Sequence, residues 1–498
     1  MERAPSPPAG PARGPARPAR PARPVGGRGG ALSRRAALGG AAAGALGLGA
    51  AAAALWWPRP GAAAPPGLTT WPAHEDVTAG AGEERAWLAA GTLPGAGTRF
   101  EPMARQALVD LHRLMQVNGS AEFPYTFIAG PDGAWRYSWP RDAAFAAVAF
   151  TRTGHHAEAL WILTWLRVVQ DLGLADGGGG GFEARYTTTG GTPDRRREQA
   201  DGAGWAAWAT AEVLTRPGSP FRSVADLDDR HRWPYPWTLG GESHVPAGAA
   251  GTATGPPTCR DGVPGCPPPT PLSALVRRTG QHLLTLTDDG RRLPEPSSDY
   301  WERRESRLTL GTAAGVLLGL RHAAAVHEHF GLPAADPLRR AASRQEGLVH
   351  AAFASSGYQR YAVSDGEGEG TGPDAATCFL LPPFTGTAET GVLAAWRTYQ
   401  ERAARPAGGF APGAGWKDDG ISWTPEVSLV AFTAAAAGRR EVAEHWLDWL
   451  DAHRTPEGSL PEKVLADGAP AGPAPLGWSA ANVLLALDHL DGAAGGAG

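Results

Sequence analysis

Cysteine is nearly absent from the 498 residues: there are three, with no Cys-x-x-Cys pair and no Cys/His ligand spacing. This excludes a disulfide-built scaffold and a structural zinc site. His322, His327 and His329 do not place two ligands at i, i+4, and the glycine run 177–181 is not followed by Gly-Lys-Ser/Thr. The acidic stretch Asp365–Glu369 fits no EF-hand. Neither a metal nor a cofactor is therefore indicated. Charge of one sign is lacking as well: Lys plus Arg number 46 against 50 Asp plus Glu, a net of -4. No basic excess invites a nucleic acid. Alternating strand patterns are scarce, which argues against an all-β fold.

Glycine (68) and proline (46) are abundant, yet 19 tryptophans and 42% hydrophobic residues require a folded body. The disorder-promoting composition is local. Residues 1–31 repeat Pro-Ala-Arg with Gly and cannot bury enough apolar surface to order themselves. They read as a disordered tail. Residues 32–65 follow, with Ser33-Arg34-Arg35 ahead of an uncharged Ala/Gly/Leu run from Ala36 to Trp57. Paired arginines before a weakly hydrophobic stretch resemble a twin-arginine export signal, cleaved near Ala62-Ala63-Ala64 or kept as a membrane anchor. The expected location is secreted or at the outer face of the cytoplasmic membrane, with the export machinery as a partner. Outside the cell, Cys259 and Cys266 can oxidise across a short Pro/Gly-rich loop, and a disulfide between them is expected. Cys378 reads as a small buried hydrophobe.

From about residue 101, apolar residues recur at helical spacing in eleven segments: 103–116, 142–153, 156–171, 201–215, 272–287, 309–330, 334–354, 387–403, 425–437, 440–453 and 478–491. A twelfth is easily missed. Ala143–Phe150, Leu160–Val169 and Val427–Ala437 are apolar nearly all round, so they should be buried on both sides. An inner ring of helices wrapped by an outer ring achieves that. Short connections alternate with long ones, 117–141, 172–200, 288–308, 355–386, 404–424 and 454–477. In such a ring all the long loops emerge on one face, and long loops in a compact domain usually carry function. The expectation is an all-α catalytic domain over 66–498, a six-hairpin (α/α)6 barrel.

The long loops hold tryptophan beside charge: Trp135, Trp139, Trp301, Trp416 and Trp478 each lie near Asp, Arg or Glu. Indole faces suit sugar faces, and charged side chains suit hydroxyls. Four segments then stand out. Tyr137-Ser138-Trp139-Pro140-Arg141-Asp142 resembles the Trp-x-Arg-Asp motif of glycoside hydrolase family 15, the glucoamylase and glucodextranase family. Gln199-Ala200-Asp201-Gly202 resembles its Gln-x-Asp-Gly, and Asp299-Tyr300-Trp301-Glu302 its Asp-x-Trp-Glu. Leu460-Pro461-Glu462-Lys463, followed by Leu476-Gly477-Trp478-Ser479, resembles its C-terminal carboxylate loop and Leu-Thr-Trp-Ser run. The four occur in family order over about residues 120–492.

The resemblance implies an (α/α)6 barrel and an inverting, exo-acting hydrolase that releases glucose from α-glucosides or α-glucans. It implies Glu302 as general acid and Glu462 as general base. Arg141, Asp142, Trp139, Trp301, Asp299, Trp135, Tyr137, Asp201 and Trp478 then form the sugar site, without cofactor. Two positions depart from the family, Arg303 after the acid and Lys463 after the base. Asp142 also suits a helix N-cap. Cleaving a glycosidic bond needs one carboxyl to protonate the leaving oxygen and another to activate water. Tyr300-Trp301 and Asp299 suggest an aromatic, like-charged setting for Glu302 that favours its neutral form. A trehalose- or dextran-type (α-1,6) hydrolase, or a non-catalytic cell-surface carbohydrate-binding protein, remain open from the sequence. So does the oligomeric state.

Overall fold

The computed structural model describes residues 77–117, 125–175, 179–194, 196, 198–229, 271–362 and 371–495. The basic tail, the export segment and the Cys259–Cys266 pair lie outside these residues. So do the acidic stretch Asp365–Glu369 and part of the glycine run.

The longer described helices are α1 (Val77–Ala89), α2 (Glu101–Arg113), α3 (Pro140–Arg152), α4 (His156–Ala175), α5 (Ala200–Leu214), α6 (Leu272–Leu286), α7 (Leu310–His329), α8 (Ala335–Phe353), α9 (Thr390–Arg402), α10 (Thr424–Ala436), α11 (Arg440–Ala452) and α12 (Gly477–Gly495), with a five-residue helix, Val224–Asp228, between α5 and α6. A 3-10 helix, Ala375–Leu380, stands between α8 and α9. The inner ring runs α3, α5, α7, the 3-10 helix, α10 and α12, each packed on the next, and α12 closes it against α3. The outer helices are α2, α4, α6, α8, α9 and α11, and they pack outside this ring. Six hairpins thus form the expected (α/α)6 barrel.

The apolar patterns explain the layering. Every residue of α3 from Pro140 to Thr151, and of α10 from Thr424 to Ala435, is buried. Helices without a polar face have no solvent to meet. Helix α4 is nearly as apolar yet lies in the outer ring, because a β-hairpin covers it. Strands β1 (Met115–Val117) and β2 (Tyr125–Phe127) pair antiparallel where the sequence pattern predicts the end of the helix 103–116 and the loop 117–141, so the helix stops short at Arg113, and Tyr125 stacks on Trp161 of α4 at 4.1 Å. Between α5 and α7 the backbones nearly touch. A Cβ on Gly204 would stand 2.0 Å from the Gly315 carbonyl oxygen, so only glycine fits there.

Beyond the hairpin, two further longer elements escaped the sequence pattern. The twelfth barrel element is the 3-10 helix, six residues inside the segment 355–386 that reads as loop. It starts where the Asp374 carboxylate accepts from the Ala376 N–H at 2.8 Å and ends before Pro382-Pro383, too short to show a 3.6-residue period. The other is α1, which precedes the barrel. Its Trp87 ring lies between His112 of α2 at 4.0 Å and His155 at 3.9 Å, and its indole N–H donates to Glu158 at 2.6 Å.

Each outer helix leads to its inner partner through a long connection: 114–139, 176–199, 287–309, 354–374, 403–423 and 453–476. All of these arrive at N-termini of inner helices, so they gather at one end of the barrel. The returns are short, such as 153–155, 330–334 and 437–439. The exception is 215–271, of which 230–270 lie outside the described residues.

Candidate active site

The loop 287–309 delivers Glu302 on a tight turn. The Glu302 N–H donates to the Asp299 carbonyl at 2.8 Å, and the Trp301 N–H donates to Asp299 Oδ1 at 3.0 Å. Glu302 takes φ +54°, a left-handed conformation that a side chain adopts only when its surroundings impose it. Three donors face its carboxylate. Gln199 Nε2 donates to Oε1 at 3.1 Å, Arg141 Nη1 lies 3.6 Å from the same oxygen, and Arg196 Nη1 donates to Oε2 at 2.8 Å. The setting expected from the sequence is corrected here. The neighbouring aromatic rings are present, but guanidiniums rather than like charge face the carboxylate, and Asp299 is ion-paired with Arg360 at 2.9 Å.

The loop 453–476 delivers Glu462. Strand β4 (Lys463–Val464) pairs antiparallel with β3 (Ser422–Trp423) and with β5 (Pro470–Ala471). The Glu462 N–H donates to Pro473 O at 2.9 Å, and its carbonyl accepts from the Thr424 N–H at 3.1 Å, which ties it to the start of α10. Its carboxylate is buried. Trp135 Nε1 donates to Oε1 at 3.2 Å, and the Lys463 ammonium lies 2.8 Å from Oε2. Lys463 also sits over the Trp423 ring at 4.5 Å. Lys463, where the sequence departs from the motif it resembles, therefore touches Glu462 directly.

Arg141 and a row of rings connect the two loops. The Arg141 guanidinium stacks over the Trp478 ring at 4.6 Å and donates to Asp142 at 3.1 Å. Helix α3 begins at Pro140 with Trp139 in the cap position, so Asp142 is not the N-cap. It sits inside the first turn as the buried partner of Arg141. Burial pushes the Asp142 carboxyl up, against the pull of that guanidinium. On the other side, Trp301 meets Trp416 edge-on at 4.9 Å, and Trp416 meets Trp423 at 5.5 Å. Trp423 pairs with Lys463 across β3 and β4. Arg185 lies over Tyr137 at 4.6 Å and Trp139 at 5.3 Å. Asp201 accepts from Trp205 Nε1 at 3.0 Å, and burial pushes its carboxyl up to about 7.

Every sequence-assigned position from Trp135 to Trp478 thus falls in this loop cluster or in the first turn of an inner helix. Asp299 is drawn into an ion-pair network through one of its oxygens. Sequence reasoning missed Arg196, Arg360 and Glu426. Glu426 stands in the first turn of α10, fully buried, and burial pushes its carboxyl up to about 8 within the fields of Arg141 and Glu462. A signal existed: it is the only charged residue between Asp419 and Arg439, in an otherwise apolar helix.

Around these carboxyls the buried indole N–H groups of Trp139, Trp301, Trp416, Trp423 and Trp478 have no hydrogen-bond partner among the described residues, nor do Asp299 Oδ2 and Glu426 Oε2. Buried polar groups are normally paired. Donors and acceptors interleaved with ring faces can be satisfied by a polyhydroxylated ligand. Among the described residues no cluster of His, Cys, Asp and Glu is arranged to hold a metal ion, and no helix is long and apolar enough to cross a membrane. Cys378 is buried, and burial pushes its thiol up to about 12.

No family model and no curated protein matches the sequence. Solved structures do. A wild-type glycosidase superposes with TM-score 0.57 at 20% identity, over 78% of this chain and 96% of that one. The glucoamylase of Saccharomycopsis fibuligera gives 0.54 at 15% identity, over 78% and 95%. A bacterial glucoamylase complexed with acarbose gives 0.58 at 14% identity, over 81% of this chain and 57% of that one. These likenesses establish the architecture, and the chain has the (α/α)6 barrel fold of the glucoamylases.

Proposed function

We propose that the protein is an inverting, exo-acting α-glucoside hydrolase that releases glucose from α-glucans or α-gluco-oligosaccharides. One observation carries the reading: two carboxylates, Glu302 and Glu462, come from separate long loops at the same end of the barrel and are joined by Arg141 and a row of tryptophans. Glu302 gives its proton to the leaving glycosidic oxygen, and Glu462 removes a proton from the water that attacks the anomeric carbon from the opposite face. The bond to the leaving sugar breaks as the bond to water forms. Trp135 and Lys463 orient Glu462 for this task. Arg141 and Asp142 hold hydroxyls of the terminal sugar, above the Trp478 ring. Two solved structures of this fold support a sugar ligand, a glycosidase variant in complex with glucose and the bacterial glucoamylase with acarbose. We further propose that Ser33-Arg34-Arg35 and the run behind it direct export.

Incubation with maltose, isomaltose, trehalose, dextran and starch, followed by glucose assay, tests the activity and its linkage. Proton NMR of the first product tests the mechanism. Inversion at an α-linkage releases β-glucose first, whereas initial α-glucose marks a retaining route, and no glucose from any of the five rejects the reading.

A further inference from the structure

Arg360 lies in the connection 354–374, 58 positions beyond Glu302 in the sequence, and its side chain is only 2% exposed. It gathers three carboxylates. Its Nη2 donates to Asp299 Oδ1 at 2.9 Å and to Glu305 Oε1 at 2.8 Å, and its Nη1 donates to Asp374 Oδ2 at 3.1 Å. Its guanidinium carbon stands 3.7 Å from the centre of the Trp301 ring. Two tyrosines close the network: Tyr300 donates its hydroxyl to Asp374, and Tyr361 donates to Glu305 Oε2 at 2.6 Å. The backbone of Arg360 is fixed as well, its carbonyl accepting from the Leu310 N–H at the start of α7 at 2.8 Å and its N–H donating to Gly372 O at 3.0 Å.

Glu302 therefore lies between residues bound to one cation, Asp299 and Trp301 on one side and Glu305 on the other. Its left-handed backbone is held by Asp299, whose carbonyl accepts from the Glu302 N–H. We propose that Arg360 is a positioning residue for the acid, fixing the turn 299–305 so that the Glu302 carboxyl meets the leaving oxygen. This rests on the reading of Glu302 as proton donor. The role needs a guanidinium. A planar fork can bind three carboxylates while its face stacks on an indole, and an ammonium cannot do both. A buried ion pair contributes little net stability once both charges are desolvated, so a network of this size next to the site suggests a demand for geometry.

The test compares leaving groups. α-Glucosyl fluoride departs with little need of a proton, whereas a sugar departs poorly without one. Wild type, Glu302→Gln, Arg360→Lys and Glu305→Gln are assayed on the fluoride and on the best cleaved of maltose, isomaltose and trehalose, with rates normalised to folded protein by circular dichroism. Arg360→Lys is expected to lose about tenfold or more in kcat on the disaccharide, with KM changed less than about threefold, while the fluoride stays within about threefold of wild type. A purely structural role lowers both substrates alike, and that outcome, or wild-type rates on both, overturns the proposal. Where Arg360→Lys does not fold, Glu305→Gln decides. It is expected to give the same selective loss at about threefold or more, and an equal change on both substrates overturns the proposal. Failure of the underlying reading has its own signature, wild-type disaccharide turnover in Glu302→Gln.

Discussion

Arg196 donates to Glu302 Oε2 at 2.8 Å, on the carboxylate that is proposed to give up a proton. A guanidinium only donates, and Gln199 Nε2 donates to the other oxygen, Oε1, at 3.1 Å, so a proton held on Oε2 requires the Arg196 contact to open and one held on Oε1 requires the Gln199 contact to open. Asp194 offers the arginine a second partner, 3.1 Å from its Nε. With the proton on Oε2, the leaving sugar and Arg196 compete for that oxygen.

Arg196→Gln removes the competitor, and kcat/KM for a short α-glucoside is expected to rise about two- to fivefold, the size of a partly exposed ion pair no longer broken. Initial-rate kinetics at low substrate measure this. A fall instead would make Arg196 a ligand of the leaving sugar.

The two carboxyls themselves are tested by Glu302→Gln and Glu462→Gln. Each is expected to cut turnover about 100-fold or more, the contribution of one acid or base, while circular dichroism stays unchanged. Near-normal turnover in either variant removes that residue from its role.

Much of this site was legible because its motifs are local. Trp139-Pro140-Arg141-Asp142 and Asp299-Tyr300-Trp301-Glu302 each place ring, cation or carboxylate within one turn of chain, so the fold has only to deliver the segment. The alternation of short and long connections likewise placed the end of the barrel where the long loops gather. Arg360 escaped because its meaning lies in partners 55 to 61 positions upstream, Glu305 and Asp299, and at Asp374, 14 downstream. Arg196 stands in an arginine-rich segment that reads as solvated charge. The 3-10 helix carries no helical period, yet it completes the ring because Asp374 caps it and α7 and α10 pack on it.

Asp142 separates binding from stability. Because it lies inside the first turn of α3 and not at the cap, Asp142→Asn keeps the shape of the turn but weakens the charge-assisted bond with Arg141 and any bond to a sugar hydroxyl. A fall in kcat/KM of about tenfold or more is expected, about 1.4 kcal/mol of transition-state binding, with little change in melting temperature. Collapse of stability with normal activity per folded molecule would leave Asp142 a structural partner of Arg141 alone.

Glu426 predicts a pH effect on stability with a definite sign. Burial raises its carboxyl from 4.5 to about 8, so the folded state holds a proton that the unfolded chain has released. A group raised in this way contributes stability that is complete below about pH 4.5 and is lost as pH climbs through about 8. Gln is a neutral isostere of the protonated acid and carries no such loss. Glu426→Gln should therefore match wild type in melting temperature at pH 4 and exceed it by at least about 2 °C at pH 9. Asp201, raised to about 7, titrates in both proteins and cancels from the difference. Equal melting temperatures at the two pH values would mean that Glu426 is ionised in the folded protein, with Arg141 as its counter-charge, and the assignment of a neutral buried acid beside Glu462 would fail.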